Sequence, residues 1–280
     1  MTFSIVACDL EERAWGVAVA SKFPAVGALV PWVEAEAGAV ATQSFANTSF
    51  GPGGLELMRR GLSAQQALDR LLADDPGKEL RQVGLVDALG RSATFSGTGC
   101  FGWAGGLAGT GYAIQGNILA NDQVVLAMEK AFLDTKGNLP ARLYAALLAG
   151  DRAGGDKRGR QSAALYVSKP KAGYGGYLDR WLDYRVDDHE NPVLRLGELL
   201  EMHALYFGKS PEAERVEIKG EILHGLKQIL VQKGYLKNGK DFTEAFNEFI
   251  GNENFEERAD PAAKWIDGPV LEYVRNKFSK

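Results

Sequence analysis

Residues 2–20 read TFSIVACDLEERAWGVAVA, and this stretch decides how the fold begins. Residues 3–8 and 15–20 are apolar and rich in residues that favour β-structure, whereas residues 9–13 between them are polar. Two apolar runs around a short polar segment are typical of a β-hairpin. The sequence therefore predicts a hairpin that starts almost at Thr2, with Lys22 just beyond its second strand.

The rest of the first 190 residues reads as strand pairs separated by helix pairs. Ser63 and Gln66 match a capping box at the start of one helix, and Pro140 fits the first turn of another. Further strands are predicted at 28–33, 39–43, 82–87, 92–96, 161–168 and 181–186, later helices at 122–133 and 139–148, and a Gly-rich stretch at 97–116. This order favours antiparallel sheets covered by helices over strict βαβ alternation.

The composition changes at residues 187–192, a charged segment that ends in proline and fits a linker. Beyond it, apolar residues recur at helical spacing in four segments. We therefore predict one domain at residues 1–190 and a small all-α domain at residues 191–280.

Composition excludes several classes of function. The formal net charge of the 280 residues is −4, which argues against nucleic acid or an anionic membrane as a partner. No apolar run reaches the roughly 18 residues of a membrane-spanning helix. The start of the chain lacks the basic segment of a signal peptide, so a cytoplasmic location is expected. Cys8 and Cys100 are expected to be free thiols.

Histidine gives the sharpest exclusion, because all three histidines lie at or after position 189. A Ser-His-Asp triad or an HExxH zinc site therefore cannot form within residues 1–188. The later histidines have no Cys or paired His at metal-ligand spacing, so no metal is predicted. Residues 97–102 match GxGxxG, but residues 103–106 do not open the helix that a dinucleotide site needs, so no cofactor is predicted either.

Thr2 offers chemistry that needs no histidine. Removal of Met1 before a small residue would leave Thr2 with a free α-amine, whose pKa is ordinarily about 7.7–8.0. A threonine hydroxyl beside its own α-amine is a known nucleophile–base pair. The alternative is that Thr2 simply begins a strand.

Several segments together resemble the uncharacterised bacterial family catalogued as domain of unknown function 1028. They are TFSIVACD, GVAVASKFPAVGALVPW, GAVATQSFAN, FGPGGLELMRRGLSAQQALD, RQVGLVDALGR, YAIQGNILA and GGDKRGRQSAAL. The resemblance covers residues 2 to about 190. It implies membership of the N-terminal-nucleophile (Ntn) hydrolases and their four-layer αββα sandwich, an α+β fold.

The tail resembles the peptidoglycan-binding-like helical domain that follows this domain in some members. The similar segments are LRLGELLEMHALYFG, KGYL and FNEFIGNENFEER. This second resemblance implies peptidoglycan fragments as a partner.

In such a fold the site lies between the sheets, at the end where the first strand begins. Lys22 would lie near Thr2 and lower the pKa of its amine, or else be a solvated loop lysine. Oxyanion donors or, alternatively, turn-capping amides are expected after two strands, at Gln43, Ser44, Asn47, Gln115, Gly116 and Asn117. Asn117 is the donor that we assign to catalysis.

The run at residues 154–162 carries the remaining candidates. Arg158 and Arg160 could clamp a substrate carboxylate, and Asp156 could bind an amine or orient the nucleophile. Ser162 opens the strand that follows. The alternative is a salt-bridged surface loop.

We therefore predict an Ntn-type amidohydrolase that cleaves a small amide or peptide-like bond through Thr2 and needs no cofactor. The alternative is a non-catalytic protein that binds a ligand or peptidoglycan fragments on the same fold. A structural component of a homo-oligomer is the third class.

Overall fold

The computed structural model describes residues 2–208, 210–237 and 239–278, a mixed α/β chain. Its two compact units divide between Glu198 and Leu199. The strands of the first unit are β1 (Thr2–Asp9), β2 (Ala14–Ser21), β3 (Pro31–Glu34), β4 (Gly38–Ser44), β5 (Arg81–Asp87), β6 (Ser92–Ser96), β7 (Trp103–Gly109), β8 (Tyr112–Leu119), β9 (Ser162–Ser168) and β10 (Arg180–Val186). Its helices are α1 (Phe50–Arg59), α2 (Ala64–Ala73), α3 (Gln123–Asp134), α4 (Leu139–Arg152) and the start of α5 (Pro192–Phe207).

These strands form two antiparallel sheets. The larger has the order β10-β9-β2-β1-β8-β7, and the smaller has the order β3-β4-β5-β6. The predicted hairpin is confirmed, with Thr2 opposite Ser21 across β1 and β2. Strand β1 pairs with β8 on its other side. Strand β1, which Thr2 opens, therefore lies in the middle of the larger sheet rather than at its edge.

The central strands of each sheet are buried on both faces. Between the sheets, Val6 and Val19 of the larger pack in one core with Ala39 and Ala41 of the smaller. Helices α1 and α2 cover the other face of the smaller sheet, and α3 and α4 contact the other face of the larger. Side chains alternate between faces along a strand, so neighbouring residues of β1 belong to different cores.

The helix starts follow the predicted chemistry. The Ser63 hydroxyl accepts from the backbone N–H of Gln66, and the Gln66 side chain accepts from the backbone N–H of Ser63. These two hydrogen bonds confirm the capping box of α2. The Asn138 side chain caps α4, and Pro140 lies in its first turn. These caps satisfy backbone N–H groups that have no partner within the helix.

Two predictions in the first unit need correction. The strand predicted at 28–33 begins only at Pro31, because residues 26–28 form a 3₁₀ turn after Ala25, whose φ is +50°. The Gly-rich stretch at 97–116 contains β7 and most of β8, which we did not predict in full. Glycine is required in β7 because a Cβ on Gly106 would lie 2.6 Å from the carbonyl oxygen of Ile114.

The second unit is mainly helical, with the end of α5 followed by α6 (Gly220–Gln232), α7 (Phe242–Asn252) and α8 (Gly268–Phe278). Its core gathers Phe246, Phe249 and Phe255. The prediction of an all-α domain missed a two-stranded ribbon of β11 (Arg215–Glu217) and β12 (Trp265–Asp267). Three residues are too few for strand alternation to be visible in a sequence. Across the described ranges, no helix has the length and apolar character to cross a membrane.

Candidate functional site

A row of hydroxyl and amide side chains crosses the larger sheet where β1 begins. Thr2 pairs with Ser21 of β2 and Asn117 of β8, and Ser21 pairs with Ser162 of β9. Directly paired residues point to the same face of a sheet. Thr2 is 7% exposed, and its Oγ1 lies 3.1 Å from Ser21 Oγ. The candidate nucleophile therefore lies beside a second hydroxyl in the space between the sheets.

A matching polar row crosses the smaller sheet, where Gln43, Gln82 and Ser96 are paired on β4, β5 and β6. Gln43 Nε2 donates to the Thr2 carbonyl oxygen at 3.2 Å and to Gln82 Oε1 at 2.8 Å. Asn117 Nδ2 also donates to Gln82 Oε1, at 2.8 Å. Gln82 therefore links the two sheets through Asn117 and Gln43, the two residues that pair with or bond to Thr2.

One layer deeper, Ser4 continues this contact between the sheets. Its hydroxyl donates to Gln43 Oε1 at 2.7 Å and accepts from Gln115 Nε2 at 2.6 Å. A Cβ on Gly84 would lie 2.0 Å from Gln115 Oε1, so glycine makes room for this amide. We call Ser4, Gln43, Gln82, Gln115 and Asn117 the amide network.

The loop at residues 153–161 crosses the edge of the sheet at the start of β1. Asp156 accepts from the Lys22 backbone N–H at 2.7 Å and forms an isolated bridge with Leu119. Lys22 follows β2 and Leu119 ends β8, and β1 lies between these two strands. Asp156 therefore contacts both strands that flank the start of β1, through its carboxylate at Lys22 and through its backbone at Leu119.

The two predicted arginines pair with buried carboxylates. Arg158 donates to Asp156, and Arg160 Nε donates to Asp151 Oδ1 at 2.7 Å. The hydrogen bond with Asp151 raises the pKa of Arg160 above its ordinary value. Both arginine side chains remain nearly half exposed while each is held by an aspartate.

The cavity beside this loop is small. It has a volume of about 10 Å³ and is lined by Ser21, Asp151, Asp156, Arg160 and Ser162, with neighbouring apolar atoms. This volume is close to the least that one water molecule requires. Thr2 does not line this cavity, although its neighbour Ser21 does.

Of the other predicted residues, Lys22 follows β2 and Ser162 pairs with Ser21 of β2, the neighbour of β1, whereas Asn47 lies beyond β4. Lys22 is exposed, and its Nζ donates to the Arg160 carbonyl oxygen at 3.2 Å. Ser162 is buried, with its hydroxyl accepting from the Val26 N–H at 3.1 Å. Asn47 lies in the turn before α1, where its Oδ1 accepts from the Ser49 N–H at 3.2 Å.

The predicted positions of the amides within their strands need correction. Gln43 lies inside β4 and Ser44 ends it, whereas Gln115, Gly116 and Asn117 lie inside β8 rather than after it. Gln115 and Asn117 are two residues apart, so their side chains lie on the same face of β8. Their contacts with Ser4 and Gln82 show that this is the face between the sheets. Both amides are engaged in the amide network.

Sequence reasoning missed Ser4, Ser21, Gln82 and Asp151. The available signal was alternation, because Thr2 and Ser4 are polar positions two residues apart at the start of an otherwise apolar strand. Gln82 likewise opens an apolar strand. Ser4 bonds Gln43, 39 residues away, and Gln82 bonds Asn117, 35 residues away, so only the folded sheets reveal these contacts.

Two residues beside the site adopt the left-handed backbone conformation. Ser44, which follows Gln43, has φ +69°, and Ile118, which follows Asn117, has φ +49°. This region is strongly disfavoured for a β-branched residue such as isoleucine. Backbone strain of this kind tends to gather at functional sites, where the surrounding structure holds it in place.

A buried ion pair holds the chain that leaves β4. Arg81 Nε donates to Asp75 Oδ2 at 2.7 Å, and Arg81 Nη1 donates to the Phe45 carbonyl oxygen at 2.6 Å. The hydrogen bond from Arg81 lowers the pKa of Asp75 from 3.8 to about 2. The carboxylate thus stays ionised in the fold and fixes the segment that carries Phe45.

This ion pair predicts how stability depends on pH. Because the pKa of Asp75 is depressed, its stabilisation is present above the ordinary value of 3.8 and is lost as the pH falls through about 2. We expect Asp75→Asn to lower the free energy of unfolding by roughly 2 kcal/mol at pH 6 and by far less near pH 2. Hydrogen exchange of the β4 and β5 amides in the full chain measures this.

The neighbouring Asp74 provides the matched control, because its side chain is 71% exposed and pairs loosely with Arg70. Asp74→Asn should leave the exchange rates unchanged at both pH values. An effect of Asp75→Asn that is equal at pH 6 and pH 2 would show that the ion pair does not provide the stabilisation.

The cysteines are both free thiols. Burial, and then the nearby Asp87 and Asp9, raise the pKa of Cys8 to about 12, so this thiol is not a nucleophile near neutral pH. Within the described ranges, no group of three or more His, Cys, Asp or Glu side chains is arranged to hold a metal ion.

The fold and this site define a class of protein: an α+β domain of two facing antiparallel sheets with a polar row at one end, followed by a mainly helical region. The chain belongs to the family described as "Family of unknown function (DUF1028)", whose model matches residues 2–196. A second family model, described as "Putative peptidoglycan binding domain", matches residues 206–274. Both resemblances found in the sequence are thereby confirmed.

A crystal structure of protein SPO2555 from Silicibacter pomeroyi, assigned to the same DUF1028 family, is similar to this chain. The two share 31% sequence identity and superpose with a TM-score of 0.66, over 72% of this chain and 89% of that one. No curated protein matches.

Proposed function

We propose that residues 1–190 form an Ntn-hydrolase-like αββα sandwich and that Thr2 is its nucleophile. The observation that carries the proposal is the position of Thr2, which opens a central strand with its side chain between the sheets, 3.1 Å from Ser21 Oγ. Support for the layer order comes from α1 and α2 on one sheet, and α3 and α4 on the other. Met1, whose removal the mechanism needs, lies outside the described residues.

The proposed reaction is hydrolysis of a small amide or peptide-like bond. Thr2 Oγ attacks the carbonyl carbon while the Thr2 α-amine takes the hydroxyl proton. The amine then passes this proton to the leaving nitrogen, and the C–N bond breaks to leave an ester on Thr2. Water hydrolyses the ester and restores the hydroxyl. All of these groups belong to one residue, so the first 188 residues need no histidine.

The surroundings of Thr2 support the charge changes that this reaction requires. An Asn side chain carries two amide protons. One of those on Asn117 is directed to Gln82, and the other is proposed to donate to the developing oxyanion. Asp156 and Asp151 each offset the charge of one arginine of the 153–161 loop, whereas Lys22 adds positive charge at this end of the sheet, which favours the unprotonated amine. Ser21 would orient the attacking hydroxyl.

An activated ester tests this proposal without knowledge of the natural substrate. On mixing with 4-nitrophenyl acetate, the full chain is expected to release 4-nitrophenolate in a burst stoichiometric with protein, because acylation of Thr2 precedes slower hydrolysis of the ester. Release at the rate of the uncatalysed reaction, with no burst, would contradict the proposal.

A non-catalytic binding protein is the second candidate function. It is favoured by the amide network itself, because every buried polar side-chain atom among the described residues has a hydrogen-bond partner. A fully satisfied network stabilises the contact between two sheets without any catalytic role. In that case the ester gives no burst.

For the second unit we propose binding of peptidoglycan or its fragments, supported by the family match at residues 206–274. The full chain is expected to sediment with purified sacculi and to be released by excess soluble muropeptides. Protein that stays in the supernatant would contradict this role.

A further inference from the structure

Two phenylalanine side chains are exposed at the end of the sheets where Thr2 lies. Phe45 is 53% exposed and Phe101 is 58% exposed, and their rings meet edge to face at 5.9 Å between centroids. Leu80, 38% exposed, precedes the Arg81 that binds the Phe45 carbonyl. Single exposed apolar residues are common on protein surfaces, but neighbouring exposed apolar residues often mark a binding site. The backbone that carries Phe45 is also held in place by Arg81.

The Gly-rich segment at residues 97–102 holds Phe101 in place. Gly99 N–H donates to the Glu79 carbonyl oxygen at 2.8 Å, and the Thr98 hydroxyl donates to the Glu79 carboxylate at 2.8 Å. A Cβ on Gly97 would lie 2.3 Å from the same carbonyl oxygen, so glycine allows this close approach. The GxGxxG match is therefore explained by packing that presents Phe101.

Phe45 and Phe101 are each held by a strand that contacts Thr2, which is β4 of the smaller sheet for Phe45 and β8 of the larger sheet for Phe101. Gln43 donates to the Thr2 carbonyl. Phe45 is two residues beyond Gln43, so the Cα atoms of Gln43 and Phe45 are at most about 7 Å apart. The Phe101 carbonyl accepts from Ile118 N–H at 2.9 Å, and Ile118 follows Asn117, the partner of Thr2 in β8. The pair therefore borders the start of β1 on the side of β4 and β8.

The opposite border is charged. Lys22 and the arginines of the 153–161 loop follow β2 or precede β9, on the other side of β1. Thr2 thus lies between an aromatic border and a cationic one. A substrate that binds both borders has an apolar group on one side of its carbonyl, against the phenylalanines, and negative charge on the other side, toward the basic residues.

We propose that Phe45 and Phe101 form a subsite for an apolar, preferably aromatic, acyl group of the substrate, an inference that rests on the proposed function of Thr2. The acyl group stacks against the two rings while Thr2 Oγ attacks its carbonyl carbon, and the departing group lies toward the cationic border. Stacked or edge-to-face aromatic rings attract one another more than their buried apolar area alone accounts for. An arylacetyl group is therefore expected to bind beside the two phenylalanine rings better than an acetyl group.

Two esters with one leaving group test the subsite. Full-length protein should be acylated by 4-nitrophenyl phenylacetate roughly tenfold or more faster than by 4-nitrophenyl acetate, a typical discrimination for an apolar pocket. In each reaction Thr2 Oγ replaces 4-nitrophenolate at the carbonyl carbon. The Phe45→Ala/Phe101→Ala variant should lose this preference, so that its acylation rates with the two esters become similar.

Tyr177→Ala is the matched control, because Tyr177 is 90% exposed in the β9–β10 connection at the opposite end of the sheet. It should keep the preference. Equal rates with both esters in the unaltered protein, or a preference that survives in the double variant, would overturn the subsite.

Binding of free phenylacetate, followed by saturation-transfer NMR, separates this inference from the proposed function. Binding that requires Phe45 and Phe101, in a protein that shows no burst, would support the subsite and contradict the hydrolase. A burst with acetate in a protein that neither binds phenylacetate nor prefers its ester would support the hydrolase and overturn the subsite.

Discussion

Thr2→Ala is expected to abolish the burst with 4-nitrophenyl acetate, lowering the acylation rate by roughly 10³-fold or more, because removal of a nucleophile leaves only residual catalysis. Thr2→Ser should keep a burst, since serine retains both a hydroxyl and, after removal of Met1, a free α-amine. Stopped-flow absorbance of 4-nitrophenolate measures both rates.

Ser168→Ala provides the control for this comparison. Ser168 is a buried hydroxyl residue of β9 at the end of the sheet away from Thr2, and its hydroxyl donates to the Asp179 carbonyl oxygen at 3.1 Å. Its variant should react as the unaltered protein does. Equal bursts from Thr2→Ala and the unaltered protein would show that another residue is acylated and would contradict the assignment of Thr2 as the nucleophile.

The largest expected effect on stability belongs to Arg258 in the second unit. Arg258 is 2% exposed, its Nε donates to Asp267 Oδ2 at 2.5 Å, and its Nη1 donates to the carbonyl oxygens of Ala204 and Leu205. Removing one partner of a buried pair leaves an uncompensated charge. We expect Arg258→Ala to destabilise this unit by about 3–5 kcal/mol. Native-state hydrogen exchange of the α7 and α8 amides in the full chain measures the loss.

Two further variants show whether the buried charge is the cause. Arg215→Ala removes an arginine of the same unit that stacks on Trp265 and is 36% exposed, and it should cost no more than about 1 kcal/mol. Arg258→Met combined with Asp267→Leu removes both charges and should recover most of the lost stability. A loss below about 1 kcal/mol for Arg258→Ala would exclude a structural role for the pair.

Local patterns were sufficient to predict much of the fold. The β1–β2 hairpin, the capping box at Ser63 and the helix that contains Pro140 depend on residues near one another in sequence, and all three are confirmed. Strand β7 was missed because WAGGLAG contains no β-branched residue. Its pairing with β8, rather than its own composition, makes it a strand.

The site was less predictable, because its geometry comes from contacts between distant strands. The sequence pointed to Thr2, Gln43, Gln115 and Asn117 as separate candidates. The sequence could not indicate that Gln82 would accept from both Gln43 and Asn117. These contacts depend on how β4, β5 and β8 align when the two sheets pack together. The assignment of these amides as oxyanion donors stays a prediction.

The central claim is that Thr2 reacts with the help of its own α-amine, and mass spectrometry of the acylated N-terminal peptide tests it most directly. Full-length protein produced in its native host would be treated with 4-nitrophenyl acetate, quenched in acid during the burst and digested with pepsin, because acid keeps the acetyl group from migrating from Oγ to the α-amine. The account predicts a peptide that begins at Thr2 and carries the acetyl group on Oγ. An acylated peptide that still begins with Met1, or acylation found only at other residues, would contradict it.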